Sequence, residues 1–139
     1  MFRMLGLIPG LLFPALVYAL FTMSSGGADV SAKLAHEVFS IALPSGVNWQ
    51  LTTGHLFVIF AVVALFFELL KSTNPSNLAV VENGVSLIVL LVFLLLFVLV
   101  RNFGTTEFFL MVFMAGLDTL VGFVVLVSTS RRTIDVEPH

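Results

Sequence analysis

The run from Ser86 to Val100, Ser-Leu-Ile-Val-Leu-Leu-Val-Phe-Leu-Leu-Leu-Phe-Val-Leu-Val, presents an apolar surface on every side of a helix. Such a helix has no polar face to show to water, so it requires either a large protein core or a bilayer. A core of that size is not available. The chain has 139 residues, 59% of them hydrophobic and only 10% charged, which leaves no room for a soluble domain beside its apolar segments. A hydrocarbon layer of about 30 Å takes roughly 20 residues of helix to cross. On that measure four stretches qualify as spans, residues 4 to 23, 50 to 71, 78 to 100 and 106 to 129. The expected fold is therefore an all-α membrane protein, a four-transmembrane-helix bundle forming a single domain over residues 1 to 139.

The first stretch has a second reading. Met1-Phe2-Arg3 followed by an apolar run with Val17-Tyr18-Ala19 has the layout of a secretory signal peptide, but we read it as a retained span. Pro9 and Pro14 fall inside it, predicting a bent helix with unclaimed carbonyls such as that of Gly10. Short links at 72 to 77, holding Asn74-Pro75-Ser76-Asn77, and at 101 to 105 predict that spans two, three and four pack as antiparallel neighbours. The longer connection, Ser24 to Trp49, holds a helical pattern over 29 to 42. Val30, Leu34, Val38 and Ile41 fall on one face and Asp29, Lys33, Glu37 and Ser40 on another, which predicts an amphipathic interfacial helix between spans one and two.

Lys and Arg favour cytoplasmic loops. With both termini cytoplasmic, Arg3, Lys71, Arg131 and Arg132 lie inside and Lys33 and Arg101 outside, the better of the two arrangements. Trp49, Arg101, Arg131 and Arg132 then read as interfacial anchors, with Trp49 at the outer start of span two. The absence of Cys removes thiolate chemistry, and a net charge of −2 with no basic run beyond Arg131-Arg132 gives nothing to hold a phosphate backbone, so no nucleic-acid partner is expected.

Asp118, near the midpoint of span four, is the residue that most demands an explanation. An acid at a span centre costs about 2.5 to 3.5 kcal/mol on insertion scales. Met111, Ala115, Gly122, Val125 and Thr129 share its face, a stripe of mostly small residues that predicts a position inside the bundle. Counting helical rise from the cytoplasmic ends puts Tyr18 at a similar depth, so Asp118 is expected to bond with Tyr18 or with the Gly10 carbonyl. It then serves either as a proton- or cation-binding carboxylate or as a neutral, hydrogen-bonded acid that fixes helix register. In span two, Gly54, Phe57, Ala61, Ala64, Glu68 and Lys71 fall on one face, Glu68 and Lys71 are one turn apart, and the short link brings Glu82, Asn83 and Ser86 to their depth. This reads as a helix-end ion pair or as a polar vestibule. Glu107 after Gly104-Thr105-Thr106 reads as a capped helix start. His36, Glu37, His55 and Glu107 have no diagnostic metal spacing, and no catalytic constellation or cofactor motif is visible. Neither metal, cofactor nor enzymatic activity is expected.

The segments Trp49-Gln50-Leu51-Thr52-Thr53-Gly54, Glu68-Leu69-Leu70-Lys71-Ser72-Thr73, Ser86, Asp118-Thr119-Leu120-Val121-Gly122-Phe123 and Arg131-Arg132 resemble an uncharacterised family of small four-span bacterial inner-membrane proteins, over residues 49 to 132. The resemblance implies a plasma-membrane location and marks Glu68, Lys71 and Asp118, but supplies no reaction. Asn83 departs from it, since histidine is usual there. The leading functional expectation is an accessory or scaffold subunit of a larger membrane complex, with lipid and other membrane subunits, or further copies of itself, as partners. The alternative is a small proton- or cation-coupled transporter or channel using Asp118 and Glu68.

Overall fold

The computed structural model describes residues 6–72 and 78–135, with side chains as far as Arg131. The elements in order are α1 (Leu12–Met23), α2 (Val30–Leu34), β1 (Glu37–Ala42), β2 (Asn48–Thr52), α3 (Thr53–Ser72), α4 (Ala79–Leu99), a 3₁₀ turn (Arg101–Phe103) and α5 (Thr106–Asp135). Three helices are long and apolar enough to cross a membrane: α3, α4 and the stretch Thr106–Arg131 of α5, with mean hydropathies of 2.2, 2.5 and 2.4. They match spans two, three and four. The turn-forming residues 74 to 77 lie outside the described segments.

The first span is shorter than its apolar run. α1 holds 12 residues, about 18 Å at the usual rise per residue, and residues 6 to 11 form turns in place of a helix. Pro14 consequently sits in the first turn, where its missing N–H costs nothing, so the bend expected there has no preceding helix to bend. The Gly10 carbonyl is taken by the Phe13 N–H at 3.2 Å.

The expected helix over 29 to 42 is replaced by two pieces. Asp29 caps α2, its side chain accepting from the Ser31 N–H at 3.0 Å, and the helix stops after Leu34. The rest forms an antiparallel hairpin, so the fold is not purely helical. Its turn explains why. The Gly46 N–H donates to the Leu43 carbonyl and the Leu43 N–H to the Val47 carbonyl, both at 2.9 Å, and Gly46 adopts φ 85°. Pro44-Ser45-Gly46 thus makes a three-residue hairpin loop with glycine in the left-handed position. Trp49 lies on β2 opposite Ile41, four residues before α3 begins, and is not the first residue of a span.

α5 is the central helix. It packs along both α3 and α4, whereas among the described residues α3 and α4 touch each other little, so the packing expected among spans two, three and four runs through α5. α1 packs on α3. The core lies where α1, α3 and α5 converge near the 3₁₀ turn. Tyr18, Phe108, Leu11, Leu34 and Met111 are fully buried there, and the Tyr18 ring centroid is 5.3 Å from Phe57, 5.6 Å from Phe103 and 5.4 Å from Phe108. α4 contributes Val89 and Phe93 to the core and leaves most of its remaining surface bare, including Leu87, Ile88, Leu91, Leu95, Val98 and Leu99.

Candidate functional site

Because α3 and α4 each pack on α5 and touch each other little, they leave a cleft of about 200 Å³ between them at the end away from the aromatic core. Its floor is the α5 face carrying Asp118, Gly122 and Val125. One wall is Glu68, Lys71 and Ser72 of α3, and the other is Glu82, Asn83 and Ser86 of α4. The convergence of these two helix ends follows from the spacings read in the sequence, and so does the inward direction of Asp118, which is 4% exposed with Ala115 and Met111 buried one and two turns before it. The cleft extends to Ser130 and Ala79 at the helix ends. At its inner end the buried residues Phe57, Ala61, Phe93, Met111 and Ala115 close the bundle.

Two carboxylates of the cleft have different surroundings. Glu68 is held on both oxygens: Oε1 pairs with Lys71 Nζ at 3.0 Å, and Oε2 accepts from the Gly10 N–H at 2.8 Å. Lys71 Nζ also donates to the Ile8 carbonyl at 3.4 Å. Glu68 and Lys71 therefore strap the segment before α1 onto α3. Glycine suits that approach, because a Cβ at residue 10 would stand a tight 3.1 Å from Glu68 Oε2 and 3.3 Å from the Ala64 carbonyl oxygen. Asp118, by contrast, is hydrogen-bonded to the Ser86 hydroxyl across the α4–α5 interface and has the cleft in front of it. Beside it the buried Asn83 Oδ1 has no hydrogen-bond partner among the described residues and lies 2.6 Å from where a Cβ of Gly122 would stand. Among the described residues, the charged side chains lining the cleft are Glu68, Glu82, Asp118 and Lys71.

Glu68→Ala should loosen the strap, since it leaves the Gly10 N–H without its acceptor and Lys71 without its carboxylate. We expect a loss of about 1 to 3 kcal/mol on unfolding in detergent and faster proteolysis near Gly10, whereas Glu68→Gln keeps the Gly10 bond and loses about 1 kcal/mol or less, because Lys71 is one-third exposed. Equal losses for the two variants would reject this assignment.

Tyr18 does not belong to the site. Its hydroxyl donates to the Asn102 carbonyl at 3.2 Å and shares a 2.5 Å hydrogen bond with the Thr105 hydroxyl. Thr105 in turn accepts from the Phe108 N–H at 3.3 Å and so caps α5, as the capped start at Gly104-Thr105-Thr106 predicted. The depth count placed Tyr18 beside Asp118 by taking the end of span four as level with the ends of the other spans. Tyr18 meets Phe108 and Phe57, the latter fifteen residues before the end of α3, whereas Asp118 shares the cleft with Glu68, four residues before that end, because α5 runs on to Asp135. Ser86 supplies the bond instead. Among the proposed anchors, Arg101 is exposed on the 3₁₀ turn and Arg131 is exposed near the end of α5, while the Arg132 side chain lies outside the described residues. Among the described residues no group of three His, Asp or Glu is arranged to hold a metal ion. Comparison with protein families, curated proteins and solved structures finds no match to this chain.

Proposed function

We propose that this protein is a small proton- or cation-coupled membrane carrier whose binding carboxylate is Asp118. One observation carries the reading: Asp118, near the centre of a 26-residue membrane-length stretch, lines a polar cleft that reaches the helix ends on one side and is closed by packed side chains on the other. One-sided access to an acid inside the helix bundle is what a carrier presents in one of its two states, and it disfavours an open channel. In this reading Glu68 holds structure while Asp118 faces the occupant. Proteoliposomes carrying an internal pH dye test this directly. A cation gradient should drive dye response with the native chain and none with Asp118→Asn, and equal responses would end the proposal.

A second reading is favoured by α4, of whose apolar window only 6% is buried within the chain. That bare surface suits an accessory or scaffold subunit packed against other membrane helices or another copy of itself. Gentle purification followed by identification of stoichiometric companions distinguishes it. For either reading we place the chain among the small four-span bacterial inner-membrane proteins it resembles, with α1 and the preceding turns as the first span and both termini cytoplasmic. A reporter fused after His139 that signals from the outer side would overturn this orientation.

A further inference from the structure

The hairpin sorts its side chains cleanly by face. Phe39 pairs with Leu51 and Ile41 with Trp49, while Ser40 pairs with Gln50 and Ala42 with Asn48. Side chains alternate across a strand, so the first two pairs project from one face and the other two from the opposite face. The apolar face is bare: Phe39 is 50% exposed, Ile41 42% and Trp49 46%, and Leu43 and Val47 extend it to the exposed tip. In a water-soluble setting such a face would be left without cover.

The position of the hairpin says what covers it. β2 ends at Thr52 and the membrane-length helix α3 starts at Thr53 with no linker between them. The base is tied to that helix, since the Thr53 N–H and hydroxyl both donate to the His36 carbonyl, at 3.0 and 3.4 Å. The hairpin therefore starts at the depth where α3 enters the hydrocarbon and reaches about 20 Å from there. Between residues 37 and 52 the sole charged side chain is Glu37, at the base. We propose that the hairpin Glu37–Thr52 lies in the lipid interface beside α3, with Phe39, Ile41, Trp49 and Leu51 turned into the bilayer and Ser40, Asn48 and Gln50 turned to water. Tryptophan and phenylalanine at headgroup depth are the usual interfacial anchors. With no Lys or Arg on the hairpin, this contact is driven by apolar burial alone and needs no anionic lipid. It stands independently of any transport role for Asp118.

Trp49 is the one tryptophan of the chain and reports directly on this contact. The full-length protein would be reconstituted in phosphatidylcholine vesicles, with bromine near the headgroup end of the lipid chains as one quencher and aqueous iodide as the other. The expected result is blue-shifted emission that is mostly lost to brominated lipid, little affected by iodide, and unchanged when anionic lipid is added. Trp49→Phe should abolish the signal. The double change Phe39→Ser, Ile41→Ser should expose Trp49 to iodide while the helical circular dichroism is retained. Quenching by iodide alone in the native chain overturns the proposal in favour of a water-exposed hairpin. Quenching by neither, with emission that depends on the protein-to-lipid ratio, overturns it in favour of a second copy covering the face. A requirement for anionic lipid also overturns it.

Discussion

Tyr18→Ala should be the most damaging single substitution in the chain, lowering stability by about 3 kcal/mol in a detergent or steric-trapping unfolding measurement. Tyr18 is fully buried, its ring lies against Phe57, Phe103 and Phe108, and its hydroxyl joins the Asn102 carbonyl to the Thr105 cap of α5. Between helices in lipid the hydrophobic effect supplies little, because acyl chains are as apolar as the core, and what is lost is packing. Deleting the ring opens a cavity lined by three aromatic side chains that cannot all collapse into it, so most of the van der Waals loss remains. Tyr18→Phe separates the two contributions. It keeps the ring and removes the hydroxyl, and at about 1 kcal/mol it should cost far less than the alanine variant. A phenylalanine variant as unstable as the alanine one would mean that the hydrogen bonds, and not the ring, hold α1 to α5. A fully stable alanine variant would remove Tyr18 from the core altogether.

The residues that sequence spacing located correctly are those whose neighbours lie on the same helix or across a short link. Glu68 and Lys71 are one turn apart and pair at 3.0 Å, and the Gly54-Phe57-Ala61-Glu68 face is the buried face of α3. Glu82, Asn83 and Ser86 arrive opposite them because the link between α3 and α4 is short. Asp118 points inward because small residues line its stripe. Long-range partners were not legible in the same way. Matching Tyr18 to Asp118 depended on where each helix ends, and α5 runs on to Asp135 while α3 stops at Ser72, so Asp118 lies level with Glu68 and not with Tyr18. Gly10 meets Glu68 through a backbone N–H, a group that every residue except proline carries, so no side-chain pattern announces it. The hairpin had a signal that the helical reading overrode. Alternating Phe39 and Ile41, mirrored by Trp49 and Leu51 about Pro44-Ser45-Gly46, is a strand-turn-strand pattern, but Val30, Leu34, Val38 and Ile41 also satisfy a helical period. A window that fits both periods is decided by its turn, and here the glycine with positive φ decides it.

Asp118→Leu and Asp118→Asn should part company, and the reason lies in relative magnitudes. At a span centre, exchanging Asp for Leu improves insertion by about 3 to 4 kcal/mol, whereas an interhelical hydrogen bond in a membrane averages about 0.6 kcal/mol and reaches about 1.7. The bond from Asp118 to Ser86 therefore recovers only part of what the acid costs, and register alone is a weak reason for an acid there. Asp118→Leu is accordingly expected to fold, with stability within about 1 kcal/mol of the native chain, since the freed Ser86 hydroxyl can turn back to a carbonyl of its own helix. Asp118→Asn keeps the shape and a polar group facing Ser86, and should match the native chain in stability. Both should lose cation-driven proton movement in proteoliposomes, because neither side chain can take up or release a proton. Two outcomes would decide against this account. Native flux in Asp118→Asn would show that titration of this acid is not used, and a collapse of the bundle in Asp118→Leu with a sound Asp118→Asn would return Asp118 to a structural role, as a hydrogen-bonding group joining α4 to α5.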